Sequence, residues 1–281
     1  MKSTRRTFIL LAILVGVVIA KAANMDQNFY FPDRKVYRTP ADDELEFEEV
    51  QFSSADGTRL NGWFIPAQGE ALGTVVHFHG NAQNMTAHYS FVSWLPKNGF
   101  NLFVFDYRGY GKSEGHPTRD GVHQDSEAAV RYIKSRTDID QSRIILFGQS
   151  IGGANAIAVL GANDFGGIAG IAVESAFSCY RRVASDHITI LARPLIPLIV
   201  RQTYSPIKAV KDISPIPILF IHGTKDKIVP CYHSERLFEK AGEPKALWKI
   251  EGGWHTEALA TYEKEYQPRL LRQFKEWIKK K

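Results

Sequence analysis

Short apolar runs alternate with stretches of helical period along most of this chain. Glu48–Ser54 and Leu60–Ala67 switch between apolar and polar residues on either side of Asp56-Gly57. That pattern predicts a hairpin with one wet face. Then come Thr74–Phe78, Asn101–Phe105, Arg143–Phe147, Ile168–Val173, Ile216–Ile221 and Leu247–Ile250, all apolar on both faces. Strands of this kind belong to parallel sheets covered by helices. Segments 86–97, 121–136, 151–162, 231–241 and 257–280 carry the helical period between them. Strand then helix, repeated, predicts an α/β domain over residues 48–281. Its sheet is mainly parallel, with helices on both faces and the hairpin as antiparallel edge strands.

Three stretches stand outside this alternation. Residues 23–47 are an irregular, acidic lead-in containing Pro32 and Pro40. Residues 176–213 put 38 positions between two strands, more than one crossover helix needs. Their apolar part, His187–Val200, is interrupted by Pro194 and Pro197. It reads as a lid inserted over the site, or as a pair of short helices packed on the domain edge. Residues 1–22 form a leader: a basic start, then 13 uncharged and almost wholly apolar residues from Phe8 to Ala20. As a helix that run spans roughly 20 Å, short of a hydrocarbon core of ~30 Å. It suits a secretory signal, with Ala20-Lys21-Ala22 as cleavage site and Ala23 as the new start. Thr4-Arg5-Arg6-Thr7-Phe8-Ile9 also resembles a twin-arginine export signal. The competing reading is a retained anchor, which gives membrane association through residues 8–20. A buried core helix is the third. Signal and anchor alike place the domain outside the cytoplasm, in the periplasm or on the inner membrane.

Composition narrows the function classes. With 44% apolar and 23% charged residues, the chain is an ordinary globular one. Its net charge of +5 suggests a nucleic-acid partner until it is located. Lys2, Arg5, Arg6 and Lys21 lie in the leader, which has no Asp or Glu, so the remainder is almost neutral. A nucleic-acid face is therefore not expected. Two cysteines and no CxxC exclude a disulfide scaffold and a cysteine zinc site. Cys179 and Cys231 follow strands expected to be neighbours and read as free buried thiols, although export would permit a disulfide. No Asp, Glu or His cluster has metal-ligand spacing, so neither metal nor cofactor is expected.

The chemistry lies in Gly148-Gln149-Ser150-Ile151-Gly152, a G-x-S-x-G. The buried run Arg143–Phe147 ends at it, and Gly152, Gly153, Ala154, Ala156 and Ala158 begin a helix with tiny side chains. A nucleophile elbow needs this setting: a sharp strand-to-helix turn that aims a serine hydroxyl into a cleft. Here the chain resembles the α/β-hydrolases over about residues 48–275. More narrowly it resembles their Bem-type and YfhR-like branch, often membrane-anchored serine hydrolases. The matching stretches are Thr74–Asn81, Asp106–Gly115, Gly148–Gly153, His222–Pro230 and Gly252–His255. The resemblance implies eight strands with the site at their carboxyl ends.

The motif implies an order of Ser, then Asp or Glu, then His. Only His187, His222, His233 and His255 follow Ser150. His255 is the candidate base, in a pliable Gly252-Gly253 loop after the last strand. His222 is expected to shape a turn, His187 to lie in the lid segment and His233 to be on the surface. Asp226 directly follows the strand Ile216–Ile221, and the resemblance puts the family's acid there. Glu174, ending the previous strand, is the runner-up, with a second reading as a capping or supporting carboxylate. An oxyanion hole needs two N–H donors. One is Ile151, next to the nucleophile. The other comes from His79-Gly80-Asn81-Ala82, and the resemblance favours Asn81, with Ala82 next. Asp106–Gly111 fits no phosphate-loop motif. It reads as a structural turn with Asp106 bonded to backbone or Arg108, and with Tyr107 or Tyr110 a candidate to line the site. Together these features imply a serine hydrolase that cleaves carboxylic esters or thioesters through an acyl-enzyme. Its substrate would be a small-molecule or lipid-like acyl compound, with the apolar 187–200 region a candidate acyl-chain site. The alternatives are a serine peptidase of prolyl-peptidase-like type and a non-catalytic binding member of the fold.

Overall fold

The computed structural model describes residues 29–279, so the leader lies outside the described residues. Eight strands form one sheet: β1 (Glu48–Ser53), β2 (Arg59–Ile65), β3 (Gly73–Phe78), β4 (Phe100–Phe105), β5 (Ile144–Gln149), β6 (Ile168–Glu174), β7 (Ile218–Gly223) and β8 (Lys245–Ile250). Their order is β8-β7-β6-β5-β3-β4-β2-β1. The β1–β2 hairpin and the β2–β4 pair are antiparallel, and every other pair is parallel. Strands β3 to β7 are buried along their whole length, as runs apolar on both faces require. Strand β8 differs. Its pattern is mostly half-buried because it is an edge, covered fully only at Ile250.

The helices are α1 (Met85–His88), α2 (Arg119–Ser135), α3 (Ile151–Ala162), α4 (Tyr180–Asp186), α5 (Ile196–Ile199), α6 (Pro206–Ala209), α7 (Tyr232–Lys240) and α8 (Glu263–Lys279). Successive strand residues point to opposite faces, which makes two apolar layers. Val76, Phe105, Leu146, Val173 and Phe220 pack under α2, α3 and α7. Val75, Val104, Ile145, Ala172 and Leu219 pack against Tyr89, Val92 and the Leu270, Phe274 and Trp277 stripe of α8.

Helical period overestimates order in two places. Segment 86–97 holds the single turn α1 followed by 3₁₀ turns at Tyr89–Phe91 and Pro96–Asn98. Side chains there take helix carbonyls: Trp94 Nε1 donates to Phe91 O, and Asn98 Nδ2 to Trp94 O. The last helix starts at Glu263 rather than 257. The preceding residues are held otherwise, with Glu257 accepting from the Trp254 N–H and the Thr261 hydroxyl. Residues 176–213 fold as α4, α5 and α6 with 3₁₀ turns at Ile190–Leu195 and Val210–Asp212. No helix of the described residues is long and apolar enough to cross a membrane.

Candidate active site

Parallel strands leave their carboxyl ends on one side of the sheet, and strained backbone collects there. Of six non-glycine residues at positive φ among those described, Gln83, Ser150, Ser175 and Thr256 are at this end. Ser150 has φ 55° and ψ −120°, between β5 and the first turn of α3. A β-carbon on Gly152 would come within 2.1 Å of Phe78 O, and one on Gly148 within 2.6 Å of Gly153 Cα. The turn can therefore be this sharp only with glycine at both places. The Ser150 N–H donates to Glu174 O at 2.8 Å, which ties the turn to the end of β6.

The β7 and β8 loops meet at the same end of the sheet, where the Lys225 N–H donates to Gly253 O at 2.9 Å. His255 Nδ1 lies 2.7 Å from Asp226 Oδ2. Asp226 Oδ1 accepts from the Ile228 and Val229 N–H groups at 2.9 and 2.8 Å. Burial pushes the Asp226 carboxyl up, but the His222 and His255 hydrogen bonds outweigh it and hold the group below the usual carboxylate range. Asp226 is thus an anion at neutral pH. It orients the ring with Nδ1–H inward and leaves Nε2 as the basic nitrogen. The Thr256 N–H donates to Ser175 Oγ at 3.2 Å, so His255 is anchored to the residue next to Glu174. Ser150 and His255 thus attach to adjacent residues at the end of β6. No hydrogen bond joins the Ser150 hydroxyl to the ring in this structure.

Glu174 lies beneath and is not bonded to the imidazole. Its Oε1 accepts from the Ala258 N–H at 2.7 Å and its Oε2 from Gln149 Nε2 at 2.8 Å. Gln149 Oε1 in turn takes the Nε2–H of buried His77 at 3.1 Å. This chain fastens the His255 loop to the centre of the sheet. Burial pushes the Glu174 carboxyl up and the His77 imidazole down to about 3.

The loop after β3 is braced from behind. Tyr107 Oη donates to His79 O (3.3 Å), His79 Nδ1 to Gly80 O (2.7 Å), Tyr110 Oη to Asn81 O (2.7 Å) and His88 Nε2 to Ala82 O (2.9 Å). Each amide is planar and trans, so pinning a carbonyl turns the following N–H the opposite way. Pinned Gly80 O orients the Asn81 N–H, and pinned Asn81 O orients that of Ala82. Asn81 Oδ1 is occupied by the Phe31 N–H and Tyr110 Oη. The Ile151 N–H, at the first position of α3, has no carbonyl four residues back in its helix. Burial, reinforced by His88, lowers the His79 imidazole well below its ordinary range, so it stays neutral as a donor.

Several sequence expectations change here. Tyr107 and Tyr110 are fully buried and support the loop rather than line a cleft. Asp106 accepts from the Met85 N–H, whereas Arg108 pairs with Asp125 and Asp56. His222 does shape a turn, with Nε2 2.6 Å from Val229 O. His233 is not on the surface. It is buried, with Nδ1 2.8 Å from Ser178 Oγ and Nε2 2.8 Å from Asp186. The first turn of α7 faces the core, which helical period alone did not reveal. Cys179 and Cys231 are free and only partly buried. The bracing of the 79–82 loop was missed altogether, since its donors are scattered over three segments.

A family model described as serine aminopeptidase S33 matches residues 69–204. YfhR of Escherichia coli K12 is 43% identical over 236 residues, covering 83% of this chain and 80% of that protein. The chain belongs to the YfhR/Bem46-like branch of the α/β-hydrolases. The protein bem46 of Schizosaccharomyces pombe is 29% identical over 74% of this chain and 70% of its own. The fold matches that of the Pyrococcus furiosus esterase Pf2001, with a TM-score of 0.74 and 23% identity over 88% of this chain and 99% of that one. As an α/β-hydrolase, the chain has the sheet of this superfamily, and the Ser150 turn stands at its carboxyl edge.

Proposed function

We propose that this α/β-hydrolase is a serine esterase or thioesterase. The observation that carries the reading is Ser150 strained on a glycine-walled turn tied to Glu174, with the loop of His255, whose ring Asp226 orients, tied to the adjacent Ser175. In this reading Ser150 Oγ attacks the acyl carbonyl while His255 Nε2 takes its proton. The Ile151 and Asn81 N–H groups receive the negative charge on the carbonyl oxygen, and Asp226 stabilises the imidazolium. His255 then gives the proton to the departing oxygen or sulfur. Water, deprotonated by the same ring, releases the acyl group from Ser150.

The description of the matching family model favours a second reading, peptide hydrolysis. An aminopeptidase must hold a substrate ammonium with a carboxylate. Glu174 is buried with both oxygens engaged, while exposed Lys225 and Lys227 flank Asp226. That arrangement supports ester or thioester over peptide.

The test is a panel of esters, thioesters and peptides on wild type and Ser150→Ala, together with labelling by a fluorophosphonate. Wild type should be labelled and should turn over esters or thioesters, and Ser150→Ala should do neither. Equal labelling of both rejects Ser150, and peptide turnover alone rejects the ester reading. We further propose that the leader carries the domain out of the cytoplasm. N-terminal sequencing of protein from cells distinguishes a start at Ala23 from a retained anchor.

A further inference from the structure

A folded soluble chain scatters its few exposed apolar side chains, so a concentration of them calls for a partner. Here every exposed large apolar residue among those described lies on a segment at the carboxyl end of the sheet. Phe31, Val36 and Tyr37 are in the lead-in, which is hydrogen-bonded to Asn81 and Thr86. Ile228 follows Asp226, and Trp254 precedes His255. Ile190, Leu191, Leu195 and Leu198 belong to the segment that begins at His187. That histidine is joined to Ile228 O at 2.7 Å.

The 190–199 segment is apolar on both sides. Ile196, Ile199 and Val200 turn inward onto the core. Leu191, Leu195 and Leu198, spaced as one helical face, turn outward, with Leu191 89% and Leu198 74% exposed. The charge around this face is positive. Residues 180–201 contain four arginines and one aspartate, and Asp186 is engaged by Tyr232 and His233. Arg193, Arg201, Lys225 and Lys227 are exposed. Lys227 Nζ lies 5.1 Å from the centre of the Trp254 ring, an aromatic and cation pairing suited to the headgroup level of a bilayer. Phe29, the first described residue, packs edge-on against Tyr180 of α4 at 5.7 Å. The sequence carrying the apolar run Phe8–Ala20 therefore joins the domain at this same end.

We infer that the exposed apolar side chains at the carboxyl end of the sheet dock on an anionic lipid bilayer, which places the Ser150 end of the domain against the lipid. The apolar contacts come from separate segments gathered at one end of the sheet, which suits a fluid surface better than a complementary protein. The cations select anionic headgroups, at about 1 kcal/mol each near the surface. Docking does not depend on the proposed chemistry, so Ser150→Ala should dock as wild type does.

The test is hydrogen exchange, read by peptide, on the full chain with vesicles of phosphatidylcholine alone or mixed with phosphatidylglycerol. Exchange across 188–200 and 225–229 should slow about tenfold with the mixed vesicles only, and α8 should not change. Leu191→Ser/Leu195→Ser/Leu198→Ser should abolish the slowing. Arg193→Gln/Arg201→Gln should weaken docking roughly thirtyfold, by two charges at that strength. The altered side chains are exposed, and an unchanged melting temperature verifies folding. Equal exchange in the two kinds of vesicle overturns the proposal. So does slowing that needs no lipid and grows with protein concentration, which would make a second copy the occupant.

Discussion

At the scale of single residues, the site rests on contacts that leave no room for substitution. In Gly152→Ala the new methyl would meet two main-chain oxygens, Phe78 O at 2.1 Å and His79 O at 2.4 Å. Neither oxygen can swing aside, so we expect a loss of about 3 kcal/mol in urea unfolding and almost no ester turnover. Asp226→Asn keeps the shape but presents an amide where the ring needs an acceptor. We expect kcat/KM to fall by roughly 10³–10⁴. Glu174→Gln sets an NH₂ against either the Ala258 N–H or the Gln149 amide. It should cost ~1–3 kcal/mol of stability, with a smaller loss of turnover than Asp226→Asn. A larger loss would make Glu174 the acid. Tyr110→Phe removes the donor behind Asn81 O, so kcat should fall roughly tenfold with KM little changed, short of the ~10²–10³ for losing an oxyanion donor itself. Order along the chain left Asp226 and Glu174 as the acids that could serve His255, and the family resemblance favoured Asp226, which is the one the ring contacts. The role of Tyr110 was not, because a tyrosine in a turn looks the same whether it faces a cleft or props a loop.

Among the elements, the segment between β6 and β7 is the least determined by local sequence. Prolines and an interrupted period predicted short helices or a lid, and short helices are what forms. We propose that they also act as a lid, hinged on α4. Ser178, His233 and Asp186 clasp α4 to α7 through two 2.8 Å hydrogen bonds. The Ser178 N–H donates to the same Nδ1, so the ring proton is on Nε2, facing Asp186. His233→Ala leaves the buried Ser178 N–H and hydroxyl without their acceptor, while Asp186 keeps only Tyr232. We expect a loss of ~1–3 kcal/mol and faster protease cleavage within 187–204. An unchanged cleavage rate would show that the clasp does not restrain this segment. Strands β3 to β7 were readable because burial on both faces writes itself into consecutive apolar residues. The edge strand β8 was harder to place, since one flank is partly wet.

For the whole molecule, buried titratable groups couple folding to pH. His77 is fully enclosed, and burial keeps its folded value near 3, against an unfolded value of about 6.5. Between those values the unfolded chain binds a proton that the native site refuses, so this group's contribution to stability falls as pH falls. His233, lowered to about 4 by burial, acts in the same direction. Asp106, raised to about 7 by burial, acts oppositely: the native state keeps a proton that the unfolded state has released above pH 3.8. His77→Gln should therefore lose less stability than wild type between pH 6 and 4, by up to ~1.4 kcal/mol per pH unit, in unfolding titrations. Parallel curves would show that His77 is not held neutral. By itself the sequence determined the layered α/β architecture, the bend at Ser150 and the loops that supply Asp226 and His255. Apolar period and glycine placement are local properties, and chain order survives folding. Tertiary structure alone decided that Glu174 fastens the histidine loop, that Tyr110 and His79 pin the loop after β3, and that the exposed apolar side chains gather at one end. Those facts depend on residues distant in the chain meeting in space, and no local pattern records such meetings.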